Sequence, residues 1–210
     1  MNIPRSFPAA GVVALIPFAI LLLIAAQRAG AVEALLSQDT YIDSNTRGDP
    51  PPRESNYGAA SDLRVFKGNG QTGCALLKFN IDTLPPKTTA GDVSQARLRL
   101  WVNANTTAVG SIAIKPVTGK WDEYKVTANS ARELTFGSPH LTDLRIEAIN
   151  SFISIDVTQW VKGWLDGKLP NEGILLEPGS DTDFLDLWFD SKESDQTSHE
   201  ARLEITLARD

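Results

Sequence analysis

The chain has 210 residues, with 20 lysines and arginines against 26 aspartates and glutamates, and a single cysteine, Cys74. A net charge of −6 argues against nucleic acid as a partner, because gripping phosphate takes an excess of basic groups. One cysteine excludes an internal disulfide, so stability must come from core burial, with bound ions as the other available source.

The chain opens with Arg5, an apolar run over residues 11–26 and the small-residue string Ala29-Gly30-Ala31. Sixteen apolar residues are fewer than the roughly 20 that a spanning helix needs. Residues 1–31 are therefore expected to be a signal peptide, with an uncleaved anchor as the alternative. The expected mature part, residues 32–210, is one domain with a net charge of −8 once Arg5 and Arg28 are gone. Export puts the protein outside the cell or on its surface, free of the membrane after cleavage.

Alternation with a period of two then recurs along the chain, as it does in half-buried strands. Thr40–Ile42 is the first candidate strand, followed by an exposed Pro-rich loop over residues 43–55. Leu63–Phe66 and Ala75–Ile81 come next, separated by the turn residues Gly68-Asn69-Gly70. In the following strand Ala96, Leu98, Leu100 and Val102 point one way, while Arg97, Arg99, Trp101 and Asn103 point the other. A turn at Asn105-Thr106-Thr107 leads to Ile112 and Ile114, then to Leu144–Ile149 and to Ile153, Ile155 and Val157. Gly173–Glu177, Leu185–Phe189 and Ala201–Leu207 complete nine or ten strands. Cys74, beside Ala75-Leu76-Leu77, is expected to be a buried, inert thiol.

Only one segment has helical spacing. Val157, Trp160, Val161, Trp164 and Leu165 fall at i, i+3, i+4, i+7 and i+8, with Asp156 or Thr158 as cap and Gly167 as terminator. Trp160 and Trp164 lie on that apolar stripe and are expected in the core. One short amphipathic helix among many antiparallel strands predicts an all-β jelly-roll sandwich.

Several strings, taken in order, resemble the DNRLRE domain family. They are Asp39-Thr40-Tyr41-Ile42, Asn56-Tyr57-Gly58, Leu76-Leu77-Lys78-Phe79-Asn80, Trp121-Asp122-Glu123, Asp156-Val157-Thr158, Asn171-Glu172-Gly173 and Phe189-Asp190-Ser191-Lys192-Glu193. The family includes secreted carbohydrate-binding modules associated with alginate. The resemblance implies a jelly-roll fold, an extracellular location and affinity for polysaccharide.

The residues themselves point to an acidic polysaccharide. Arg97, Arg99 and Trp101 share one side of a strand at about 7 Å intervals. Guanidinium groups grip carboxylates in bidentate fashion, and an indole stacks on a sugar ring. Arg64 and Lys78 also point away from the apolar side of their strands and would extend this surface. The alternative is a set of ordinary solvated positions. Asp181, Asp183 and Asp186 are candidate ligands for a structural calcium ion, against an alternative of solvated turn residues. Asp156, Glu123 and Glu193 are expected to be hydrogen-bond hubs that pin loops.

Catalytic signals are weak. His140 and His199 are the only histidines and have no metal-ligand or triad spacing. A lyase would have to use Tyr124 or Tyr41 with a nearby arginine. The expected function is thus non-catalytic binding of a uronate-containing polysaccharide such as alginate. A structural or adhesive surface component assembling through sheet edges is the second reading, and a small polysaccharide lyase or hydrolase the third.

Overall fold

The computed structural model describes residues 30–105, 110–139 and 141–208. Residues 1–29 of the expected signal segment, Thr106 and Thr107 of the expected turn, and His140 lie outside the described residues. Among the described residues no helix is long and apolar enough to cross a membrane.

Among the described residues ten strands and one α-helix form in chain order. They are β1 (Gly30–Asp43), β2 (Asp62–Gly68), β3 (Gln71–Asn80), β4 (Val93–Asn105), β5 (Ser111–Pro116), β6 (Leu141–Arg145), β7 (Ser151–Asp156), α1 (Thr158–Leu165), β8 (Ile174–Pro178), β9 (Leu185–Asp190) and β10 (Arg202–Leu207). Gly30 and Ala31, at the end of the expected signal segment, pair with Leu207 and Thr206. The Pro-rich loop holds a single 3-10 turn at Pro52–Glu54.

The long strands join the two layers by changing partners midway. β1 pairs with β10 over residues 30–34, then with β3 from Leu35 to Asp43, shifting register between Leu36 and Gln38. β4 pairs with β10 up to Arg99 and with β9 from Val102, shifting register between Val102 and Ala104. β2 pairs with β9 along its length and turns through a hairpin into β3. The ladder therefore closes on itself as β1–β10–β4–β9–β2–β3, and every pairing is antiparallel. β7 adds to the free edge of β4, and β8, β5 and β6 continue from β3. A bulge bends a strand and raises its twist, which lets one strand serve two layers. The result is the expected β-sandwich of the jelly-roll class.

The alternation sorts the side chains. Ala96, Leu98, Leu100 and Val102 are buried, and they meet Leu63, Val65, Leu77, Phe79, Leu187, Phe189, Leu203 and Ile205 in one core. β3 and β8 depart from simple alternation because both of their sides are covered. Leu76 and Leu175 face away from that core into a second cluster with Val117, Trp121, Val126 and Ala131, carried by the 117–134 connection. Burial on both sides is why Ala75-Leu76-Leu77 and Ile174-Leu175-Leu176 read as unbroken apolar runs.

The helix closes one end of the sandwich, with Trp160, Val161 and Trp164 buried as expected. Asp156 Oδ1 accepts the Thr158 N–H at 2.9 Å and so supplies the cap. The Thr158 hydroxyl instead accepts the Ala96 N–H at 2.9 Å, which ties the helix to β4. Gly167 ends the turn at φ +68°, a conformation that suits glycine.

Two expectations are corrected. The strand expected over residues 144–149 lies earlier, at Leu141–Arg145, because Ile112 and Ile114 of β5 fix its register against Leu144 and Leu141. Cys74 is half-buried rather than buried, although desolvation still pushes its thiol up to about 12.

Replacing Leu98 with alanine should cost about 2–5 kcal/mol in urea unfolding, since the site is fully buried between strands that cannot collapse onto it. Cys74 should resist alkylation at pH 8 in the native protein and react only on unfolding.

Candidate functional site

Because the even-numbered residues of β4 from Ala96 to Val102 face the core, Arg97, Arg99 and Trp101 face out. Neighbouring strands widen this stripe into a patch. Arg97 stands opposite Asp156 of β7 and Glu204 of β10, Arg99 opposite Ser154 and Arg202, and Trp101 opposite Phe152. Arg99 Nη1 is 3.1 Å from Glu204 Oε1, and its guanidinium lies 4.8 Å from the centre of the Phe152 ring. Its Nε is covered and has no hydrogen-bond partner. Arg202 approaches the same ring at 6.0 Å and lies 3.9 Å from Glu33 Oε1.

The aromatic groups form a cluster. The Trp101 ring stacks on His199 with centroids 4.0 Å apart and meets Phe152 edge-on at 5.1 Å. Phe152 and His199 are themselves edge-to-face at 5.7 Å. Such pairs hold the rings in fixed orientation.

The register shift in β4 places Asn103 beside a polar bridge. Its Nδ2 donates to Asp62 Oδ1 at 2.7 Å and to Asp190 Oδ1 at 2.8 Å. Asp190 is buried and also accepts from the Thr197 hydroxyl. This anchors the 191–201 connection, which carries His199 onto Trp101. Beyond the bridge, Ala104 stands opposite Trp188, and Trp188 opposite Arg64. Arg64 Nε is 2.7 Å from Asp186 Oδ1, and its guanidinium sits 4.6 Å from Trp188 and 4.4 Å from Phe66.

Of the five basic and aromatic candidates, Arg97, Arg99 and Trp101 are contiguous, and Arg64 lies further along the same outer surface. Lys78 does not join them. It shares the outward side of β3 with Leu76, in the other layer, and its Nζ is 2.7 Å from Glu172 Oε2. The three acidic candidates also separate. Asp181 and Asp183 line a cavity of about 590 Å³ with Ser111, Asp143, Arg145 and Phe184, whereas Asp186 is the partner of Arg64. Phe152, His199 and Arg202 complete the patch and were missed. Arg202 was legible as an outward position between Ala201 and Leu203, while nothing in the sequence marks His199.

A second cluster binds β1 to two connections. The Asp39 N–H donates to Glu123 Oε1 at 2.9 Å, and Asp39 Oδ2 accepts the Lys192 N–H at 2.9 Å. Lys192 Nζ is 2.8 Å from Glu123 Oε1 and also bonds Glu193. Burial pushes the Asp39 carboxyl up to about 8, with Glu193 adding to the rise against the pull of the Lys192 amide. Burial would depress Lys192, but its bonds to Glu123 and Glu193 outweigh that and hold its ammonium above the usual range. Asn56 Nδ2 donates to the carbonyls of Glu123 and Val126 at 2.7 and 2.8 Å, and a Cβ on Gly58 would overlap the Glu123 carbonyl. Glu123 and Glu193 are thus hubs as expected, whereas Asp156 is an exposed helix cap.

The tyrosines are poorly suited to act as a lyase base. Burial and the neighbouring Tyr57 push the Tyr41 phenol up to about 12, so it keeps its proton at neutral pH. Tyr57 stacks on it with centroids 4.2 Å apart. Tyr124 is exposed, with Lys192 Nζ 5.8 Å from its ring.

A closed β-sandwich with an arginine–aromatic patch on one outer face has the build of a ligand-holding module. The chain belongs to carbohydrate-binding module family 96, whose model matches residues 31–206, from β1 into β10. No curated protein matches it. It is therefore a carbohydrate-binding module, with polysaccharide as the partner class.

Replacing Lys192 with methionine should destabilise the fold by on the order of 3 kcal/mol in urea unfolding, because it strips the counter-charge from the buried Glu123.

Proposed function

We propose that the module is secreted, does no chemistry, and holds a uronate-containing polysaccharide such as alginate on the outer face of β7, β4 and β10. The observation that carries this reading is the packing of Arg99 and Arg202 around Phe152, next to Trp101 and in line with Arg97. Three guanidinium groups and two rings share one sheet surface of a protein whose net charge is negative. Arg99 keeps donor capacity beyond its single bond to Glu204, because a guanidinium carries five N–H groups. A uronate carboxylate joining that pair meets a charge already oriented by Glu204 and Phe152. Trp101 and Phe152 add contact area, and the sheet limits the ordering cost of binding.

Glu204 and Asp156 flank Arg97 and set a limit on charge density. A polymer with regularly spaced carboxylates can meet Arg97 and Arg99 at the strand repeat of about 7 Å. A scattered charge pattern gains less from the same face.

Retention of the purified chain on immobilised alginate and pectate, beside neutral glucans, tests the reading. The uronates alone should retain it, and retention should weaken as salt screens the arginines. Arg97→Ala should weaken retention about tenfold without changing thermal stability much, and Trp101→Ala should weaken it about as much. Equal retention on neutral glucans, or indifference to both substitutions, would contradict the uronate reading. Release of shortened sugar by the unmodified protein would contradict the non-catalytic part.

A further inference from the structure

We propose that Asp39, Glu123 and Glu193 form a binding site for a hard divalent cation of the calcium class, with Lys192 as the resident charge that the ion displaces. One carboxylate oxygen from each of the three lies within 4.8 Å of the others, the spacing of a shared ion. A second feature points to a missing ligand. Asp39 is 1% exposed, and its Oδ1 has no hydrogen-bond partner; Glu193 Oε2 is likewise covered and unpartnered. Two buried acceptors left without donors are costly unless a cation, or a proton held between Asp39 and Glu193, meets them.

The charge balance points the same way. Ion binding requires the proton on Asp39 to leave, and the three carboxylates then exceed the single ammonium by two negative charges in a half-enclosed site. A divalent ion removes that excess. Calcium takes six to eight oxygens in flexible geometry, and three carboxylates with water from the open side supply them. Lys192 has a place to go, since its side chain is 23% exposed and its Nζ already lies 5.8 Å from the ring of the exposed Tyr124. A lysine stem lies along apolar surface while its ammonium turns to water.

The ion would staple the three segments where β1 runs along β3. The site is separate from the arginine–aromatic face, so it stands whether or not that face binds uronates. It is also separate from the cavity of Asp181 and Asp183, which provides the control.

The test is calcium titration of the intact chain by calorimetry after EDTA treatment, with thermal unfolding in parallel. The unmodified protein should bind calcium and unfold several degrees higher in about 5 mM calcium than in EDTA. Lys192→Met, which removes the competing ammonium, should bind calcium about tenfold more tightly and recover its lost stability in calcium. Glu193→Gln should weaken binding at least about tenfold, and Asp181→Asn should leave it unchanged. Absence of heat and of any unfolding shift in both the unmodified protein and Lys192→Met would overturn the proposal, even if Glu193→Gln failed to fold. So would calcium binding abolished by Asp181→Asn.

Discussion

Strand β4 is hydrogen-bonded along both edges, to β7 on one side and to β10 and then β9 on the other. Its thirteen residues therefore have little freedom to rotate or slip. A slip of one residue would drive Arg97, Arg99 and Trp101 into the core and expel Leu98 and Leu100. The buried half of the strand thus fixes the outward half. The arginine–aromatic face is rigid because the core behind it is closed.

The same strand shows how fold and site share parts. The irregularity that lets β4 change partners from β10 to β9 also places Asn103 between Asp62 and Asp190. Asp190 in turn orders the connection that lays His199 over Trp101. A packing device of the sandwich thereby becomes the frame of a surface patch. The Asp39–Glu123–Lys192–Glu193 cluster does the corresponding work for the other layer, pinning the 117–134 connection that seals the second apolar cluster.

Much of this was legible in the sequence, and what was hidden has a common cause. Alternation from Ala96 to Asn103 identified both sides of β4, and helical spacing from Val157 to Leu165 identified α1 and its buried tryptophans. A period of two shows which side of its own strand a residue takes. It does not show which layer the strand joins, so Lys78 and Arg97 look alike in sequence yet lie in different layers. Asp186 resembles its neighbours Asp181 and Asp183 for the same reason, although its place on β9 sets it diagonally across from Arg64, whose guanidinium it meets. Contacts at long range leave no local mark: Asp39 meets Glu123 across 84 positions and the Lys192 amide across 153. The family strings around Asp39, Glu123 and Lys192 pointed to those residues without showing that they meet.

The central claim is that the outer face of β4 is where glycan sits. Indole N–H resonances of the five tryptophans, followed during titration with a uronate oligosaccharide, address it residue by residue. The account predicts that the Trp101 signal moves in a saturable way while those of the buried Trp121, Trp160 and Trp164 stay in place. A saturable shift confined to other tryptophans, with Trp101 unmoved, would contradict it.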